Sequence, residues 1–262
     1  METWAMSDRR SVDYLILQQG GMTVEYLPED QGFAAATLAG LLKGAALLEK
    51  YFDLHGRFPA SRTILVPDRA EFDRCVAEVL QLQIEVPSHP ARIALPQGTN
   101  LVLLSPRAYE PGRYRYTPEG LERLIGHELT HIVEEHLSPN IEALPRWWSE
   151  GLAMHLSGDW MDELPHVVKE TAAGRIPAMA AMQDGAVTDV SVRLCYQWGW
   201  TVIRYIEATH GRAGIRRIVE QCADGDVLAT LGEAPAAFER EWRDWLLGFC
   251  ADDRTSAQHA GS

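Results

Sequence analysis

His127-Glu128-Leu129-Thr130-His131 is the stretch on which the reading of this chain turns. Its histidines stand four positions apart. On a helix that spacing puts them one turn apart on one face, with Cβ atoms roughly 5–6 Å from each other. Imidazoles so placed both reach one zinc ion at about 2.0–2.1 Å. Glu128 lies one position after the first histidine, about 100° round the helix, so its carboxylate flanks such an ion rather than binding it. From there it is placed to take a proton from bound water. The flanks are helical. Thr117-Pro118-Glu119 supplies an N-cap, a proline at the first helical position and an acid in the first turn. Leu121, Leu124, Ile125, Leu129, Ile132 and Val133 recur at helical spacing.

A catalytic zinc commonly takes three protein ligands and leaves a fourth position for water or substrate. The candidate for the third ligand is Glu150, within Trp147-Trp148-Ser149-Glu150-Gly151-Leu152-Ala153. That segment opens a second amphipathic helix, Trp147 to Leu156, after Leu144-Pro145. Water on such an ion has its pKa lowered to about 7. Two neutral histidines and one carboxylate leave the site net positive, which favours a developing oxyanion. In this reading Glu128 takes the water proton and passes it to the leaving amine.

The pattern His127-Glu128-x-x-His131, eighteen intervening residues, then Glu150 in Trp-x-x-Glu-Gly-x-Ala resembles the gluzincin metallopeptidases. Leu144-Pro145-Arg146-Trp147-Trp148-Ser149-Glu150-Gly151-Leu152-Ala153 is most similar to small bacterial peptidase-MA-like domains, and more distantly to the aminopeptidase-N family. The resemblance runs from about Ser61 to Cys250. It implies a zincin-like fold, one zinc ion held by His127, His131 and Glu150, and Glu128 as the general base. Cys195-Tyr196-Gln197-Trp198-Gly199 is similar to the Tyr-x-x-Gly of aminopeptidase-like gluzincins, which implies Tyr196 as the oxyanion donor. A phenol suits that role, since it donates a hydrogen bond and stays neutral at pH 7. Read on its own residues, Tyr196 is equally a packed side chain on a helix running to about Thr209, and His155 and His210 are rival donors. The chain departs from the aminopeptidases in lacking a Gly-x-Met-Glu-Asn segment. Asn100 to Ser105 stands in its place and reads as a strand, expected to be the edge against which an extended substrate pairs. That departure favours an endopeptidase over an aminopeptidase.

Lys and Arg number 24 against 37 Asp and Glu, a formal charge of −13. Such a balance argues against nucleic acid or an anionic membrane surface as the main partner but does not identify the substrate; the peptide or protein substrate expected is what the resemblance implies. The spacing of Cys75, Cys195, Cys222 and Cys250 fits buried thiols of a reducing compartment rather than a disulfide framework. Met1 to Gly20 shows no export signal, and no apolar run of membrane-spanning length is read, so the expected location is cytoplasmic. Oligomeric state is left open.

The amino-terminal half reads as strand-rich. Val12 to Leu17 and Thr23 to Leu27 form a hairpin across Gly20-Gly21, and Gly32 to Leu54 is a long helix. Thr63 to Val66 is a buried strand, and Asp68 caps a helix running to about Leu80. Arg92 to Leu95 and Leu101 to Leu104 are strands joined across Gln97-Gly98-Thr99. From Thr117 onward the pattern is helical. Beyond the two motif helices it predicts Asp162 to Ala173, Ser191 to Thr209, Ala213 to Ala223 and Ala234 to Phe249. Phe238, Trp242, Trp245 and Leu246 form a core stripe on the last of these. The expected fold is α+β and zincin-like. A small strand-rich lobe has its sheet edge beside the metal helix, and a helical lobe follows. Residues 1–60 belong with the catalytic domain, 61–250 form it, and 251–262 read as a disordered tail. The leading expectation for function is a zinc metallopeptidase. Its alternatives are a zinc-bearing peptide- or protein-binding module that does not cleave, and a zinc hydrolase of a non-peptide substrate.

Overall fold

Why the sheet forms where it does follows from two runs. Thr63-Ile64-Leu65-Val66 and Leu101-Val102-Leu103-Leu104 are apolar at nearly every position, which suits strands covered on both faces. In the computed structural model, which describes residues 14–183 and 189–260, both runs lie inside a five-stranded mixed sheet. Its strands are β1 (Leu15–Gln19), β2 (Met22–Tyr26), β3 (Ser61–Val66), β4 (Ala94–Gln97) and β5 (Asn100–Leu104), in the order β1-β2-β3-β5-β4. β2, β3 and β5 are parallel; β1 and β4 are antiparallel to their neighbours. The predicted first hairpin is present, although Val12 and Asp13 lie outside the described residues.

One expectation is reversed here. Asn100–Leu104 is not the edge strand, because β4 folds back across Gly98-Thr99 and covers it. The edge is β4. Its register with β5, and the bond from the Leu104 N–H to the Ile93 carbonyl, turn the Ile93, Leu95 and Gln97 backbone groups inward. Ala94 and Pro96 therefore present their backbone outward, and the Pro96 ring costs the sheet no ladder bond.

α1 (Gln31–Phe52) and α2 (Arg69–Glu78) take opposite faces of the sheet. The period-two alternation of strands sorts the side chains. Leu65 and Leu103 join the large helical core, while Ile64, Val66, Val102 and Leu104 meet Phe72 and Val76 of α2. By length and hydropathy Pro28–Phe52 is a candidate to cross a membrane, contrary to the sequence reading. Here it buries Leu38, Leu41, Leu48 and Phe52 in the core.

The remaining helices are α3 (Pro118–Leu137), α4 (Arg146–Ser157), α5 (Trp160–Ala172), α6 (Met179–Gln183), α7 (Asp189–Gln221), α8 (Val227–Leu231) and α9 (Pro235–Ala260). α7 breaks at Gly211, at φ 66°, where two helices were expected to meet. Phe238, Trp242 and Leu246 of α9 are buried as predicted, with Trp245 half-buried beside them. α9 does not stop at Phe249. It continues to Ala260, the last of the described residues, through most of the segment expected to be a disordered tail. All four cysteines are buried, in keeping with the sequence reading.

Three contacts position α3. Ile125 and Leu129 pack against Gly40 and Gly44 of α1. At its far end Glu135 accepts from the Gly98 N–H at 2.7 Å and from Gln97 Nε2 at 3.3 Å, fixing the helix to the β4–β5 turn. The sheet edge thus lies beside the helix that carries both motif histidines.

Candidate metal centre

Thr117 sets the register of α3, its Oγ1 accepting from the Gly120 N–H at 2.9 Å. His127 and His131 then fall on successive turns, ring centroids 5.0 Å apart. The chain reverses and α4 brings Glu150 against them. Its Oε2 lies 3.3 Å from His127 Nε2 and 3.6 Å from His131 Nε2, and the three ligand atoms are all within 4.8 Å of one another. Tetrahedral coordination with bonds near 2.0–2.1 Å sets ligand atoms about 3.3 Å apart, so this spacing could hold a metal ion. Glu150 Oε2 is also buried with no hydrogen-bond partner among the described residues. A carboxylate oxygen left so is a costly feature in a fold unless a ligand completes it.

The electrostatics point the same way. Burial alone raises the pKa of Glu150, but the two imidazoles outweigh it and hold the carboxyl well below the usual range. Burial disfavours the charged form of His127, yet Asp159 and Glu150 outweigh it and lift the imidazole to about 9. His131 is likewise raised, by Glu134 and Glu150 against burial. The acids around the two rings favour positive charge at this point, carried by ring protons or by a metal ion that replaces them. The other nitrogens face carboxylates of their own: His127 Nδ1 lies 3.5 Å from Asp159 Oδ2, and His131 Nδ1 lies 3.4 Å from Glu134 Oε2.

Glu128 is buried between these groups, 8 % exposed, and desolvation raises its carboxyl. Tyr196, in the second turn of α7, stacks over His127 with centroids 6.1 Å apart and planes 14° apart. Burial, then the nearby Glu150 charge, pushes its phenol up, so it is a neutral donor at pH 7. His155 and His210 do not join the group. Each is engaged by an acid, His155 with Glu207 at 2.7 Å and His210 with Glu233 at 3.1 Å.

Two glycines make this convergence possible. A Cβ on Gly151 would lie 2.5 Å from the carbonyl carbon of Gly199, and one on Gly199 would lie 2.5 Å from the Trp147 carbonyl oxygen. α4 and α7 cross there backbone to backbone, which sets Glu150 beside Tyr196. All these side chains come from the helical half.

Two acids of the site were missed by the sequence reading. Glu134 follows His131 at i+3, a spacing that a search for a partner on the same helix face would have found. Asp159 lies in the connector after α4, and nothing in the local sequence signals its return toward His127.

Fold and site together define an α+β protein with a His-His-Glu group that can hold a metal ion. No family model matches the chain, and a search of curated proteins finds no match.

Proposed function

We propose that the chain is a zinc metallopeptidase that hydrolyses internal peptide bonds with Glu128 as its general base. The observation that carries this reading is the approach of Glu150 Oε2 to both motif imidazoles, with Glu128 on the same helix between them. The two-nitrogen, one-oxygen donor set and its spacing favour zinc. His127, His131 and Glu150 would hold the ion, which when bound activates water and polarises the scissile carbonyl.

The chain's own residues do the rest. Glu128, raised by burial, takes the water proton and returns it to the leaving amine. Tyr196 donates its hydroxyl proton in a hydrogen bond to the oxyanion, from a ring held against His127. The outward Ala94 backbone on β4 pairs with an extended peptide.

The test is a comparison of the parent with Glu128→Gln. Elemental analysis should find one zinc in each, while turnover on a broad peptide library falls by about 10²–10⁴-fold in the variant. A parent without bound metal, or a variant that cleaves like the parent, overturns the reading.

A further inference from the structure

We infer that Asp159 and Glu134 are positioning residues for the metal centre, each accepting the Nδ1 proton of one histidine and so aiming its Nε2 lone pair at the ion. The inference rests on the metal reading above and adds a second layer to it. A neutral imidazole carries its proton on one nitrogen and its lone pair on the other, and the partner of the protonated nitrogen decides which is which. At both histidines Nε2 faces Glu150 while Nδ1 faces a different carboxylate, Asp159 for His127 and Glu134 for His131.

The two acceptors are built differently. Asp159 sits in the turn after α4, where its N–H donates to Ser157 Oγ at 3.2 Å. Its second oxygen lies 3.7 Å from Arg123 Nε. Arg123 is one turn before His127 on α3, so one helix carries both the imidazole and the cation that steadies its acceptor. Glu134 lies on α3 itself and is fully buried. Neither of its oxygens has a hydrogen bond of good geometry among the described residues. The Trp148 indole also faces this carboxylate, but a charge sealed there is costly without a charged partner. The basic group facing it is His131.

Asp159→Asn, Asp159→Ala, Glu134→Gln and Glu134→Leu separate this role from a structural one. Each protein, stripped of metal, is titrated with Co²⁺ against a competing chelator, and its visible spectrum is recorded. Circular dichroism and thermal midpoint of the stripped forms check folding. Asp159→Ala and Glu134→Leu should lose about 10–100-fold in Co²⁺ affinity and shift the cobalt bands. The Asn and Gln variants keep an oxygen acceptor and should lose less. Folded Ala and Leu variants with parental affinity and spectrum overturn the inference, as does a fall in thermal midpoint with affinity unchanged. If Glu134→Leu does not fold, Glu134→Ala decides for that residue, and parental binding by the folded variant overturns its assignment. A parent that takes up no Co²⁺ removes the metal reading itself. A parent that binds while the variants are indifferent removes only the positioning roles.

Discussion

The ring of Tyr196 lies nearly parallel to that of His127 and is flanked by Glu150, so its hydroxyl has little freedom to wander. A donor held this way acts on charge that develops in the transition state more than on the bound substrate. Tyr196→Phe should therefore lower kcat by about 10²–10³-fold with KM nearly unchanged, measured in steady-state cleavage of a peptide substrate. A parental kcat would remove Tyr196 from the proposed mechanism. At this scale the sequence is informative where chemistry dictates spacing. His127 and His131 are legible because an i,i+4 pair on a capped helix has few other uses. Glu150 is legible because it recurs beside a glycine on the next helix. Glu134 hides in Val133-Glu134-Glu135-His136, where two adjacent acids look like a solvated helix end. In the fold one of them faces His131 and the other holds the β4–β5 turn. Periodicity alone does not say which is which.

The crossing of α4 and α7 has no slack. A methyl group on Gly151 meets backbone atoms of Gly199, which cannot rotate out of the way as a side chain can. Gly151→Ala should destabilise the protein by about 1–3 kcal/mol in urea unfolding, as overpacking does. It should also weaken metal binding, because the adjacent Glu150 moves with the backbone. Unchanged stability would mean that the helices part without cost. The glycines after Glu150 and after Tyr196, which look like unrelated features of two segments, are thus the two sides of one contact. Other elements were read less well. The β4–β5 hairpin was legible at Gly98, but which of its strands faces outward depends on where β3 pairs, a long-range choice that local pattern does not encode. The length of α9 was underestimated because polarity was taken as a stop, whereas a run of good helix formers continues a helix whatever its polarity.

Across the whole molecule, a polar cluster ties together α1, α4 and α7 away from the metal centre. His155 reaches Glu207 at 2.7 Å, Arg212 Nε lies 3.4 Å from the same carboxylate, and the Arg212 guanidinium covers the Tyr51 ring at 4.9 Å. The His155 hydrogen bond brings the Glu207 carboxyl from 4.5 down to about 2, against burial that pushes it up. A carboxyl depressed on folding contributes stability above its unfolded pKa and loses it as pH falls through the folded one. Allowing for partial solvent exposure, about 2 kcal/mol should disappear between pH 5 and pH 2 in the parent. The same acid range should cost Glu207→Gln less by that amount, as read from urea midpoints. Parallel acid profiles for the two proteins would show that Glu207 is not so coupled. The fold class was legible at this scale because strands and helices segregate along the chain, and the apolar runs of β3 and β5 announce a doubly covered sheet. How the cluster joins three helices was not, since its members are scattered from Tyr51 to Arg212.

The proline in the outermost strand has a consequence for how copies of this protein meet. At the free margin of β4 an incoming strand finds the Ala94 amide and then, two residues on, a position with no hydrogen to give. Zipper-like growth from molecule to molecule stalls at that gap. A short guest gripped at a single residue does not need the second rung, so the margin is closed to fibre and open to visitor.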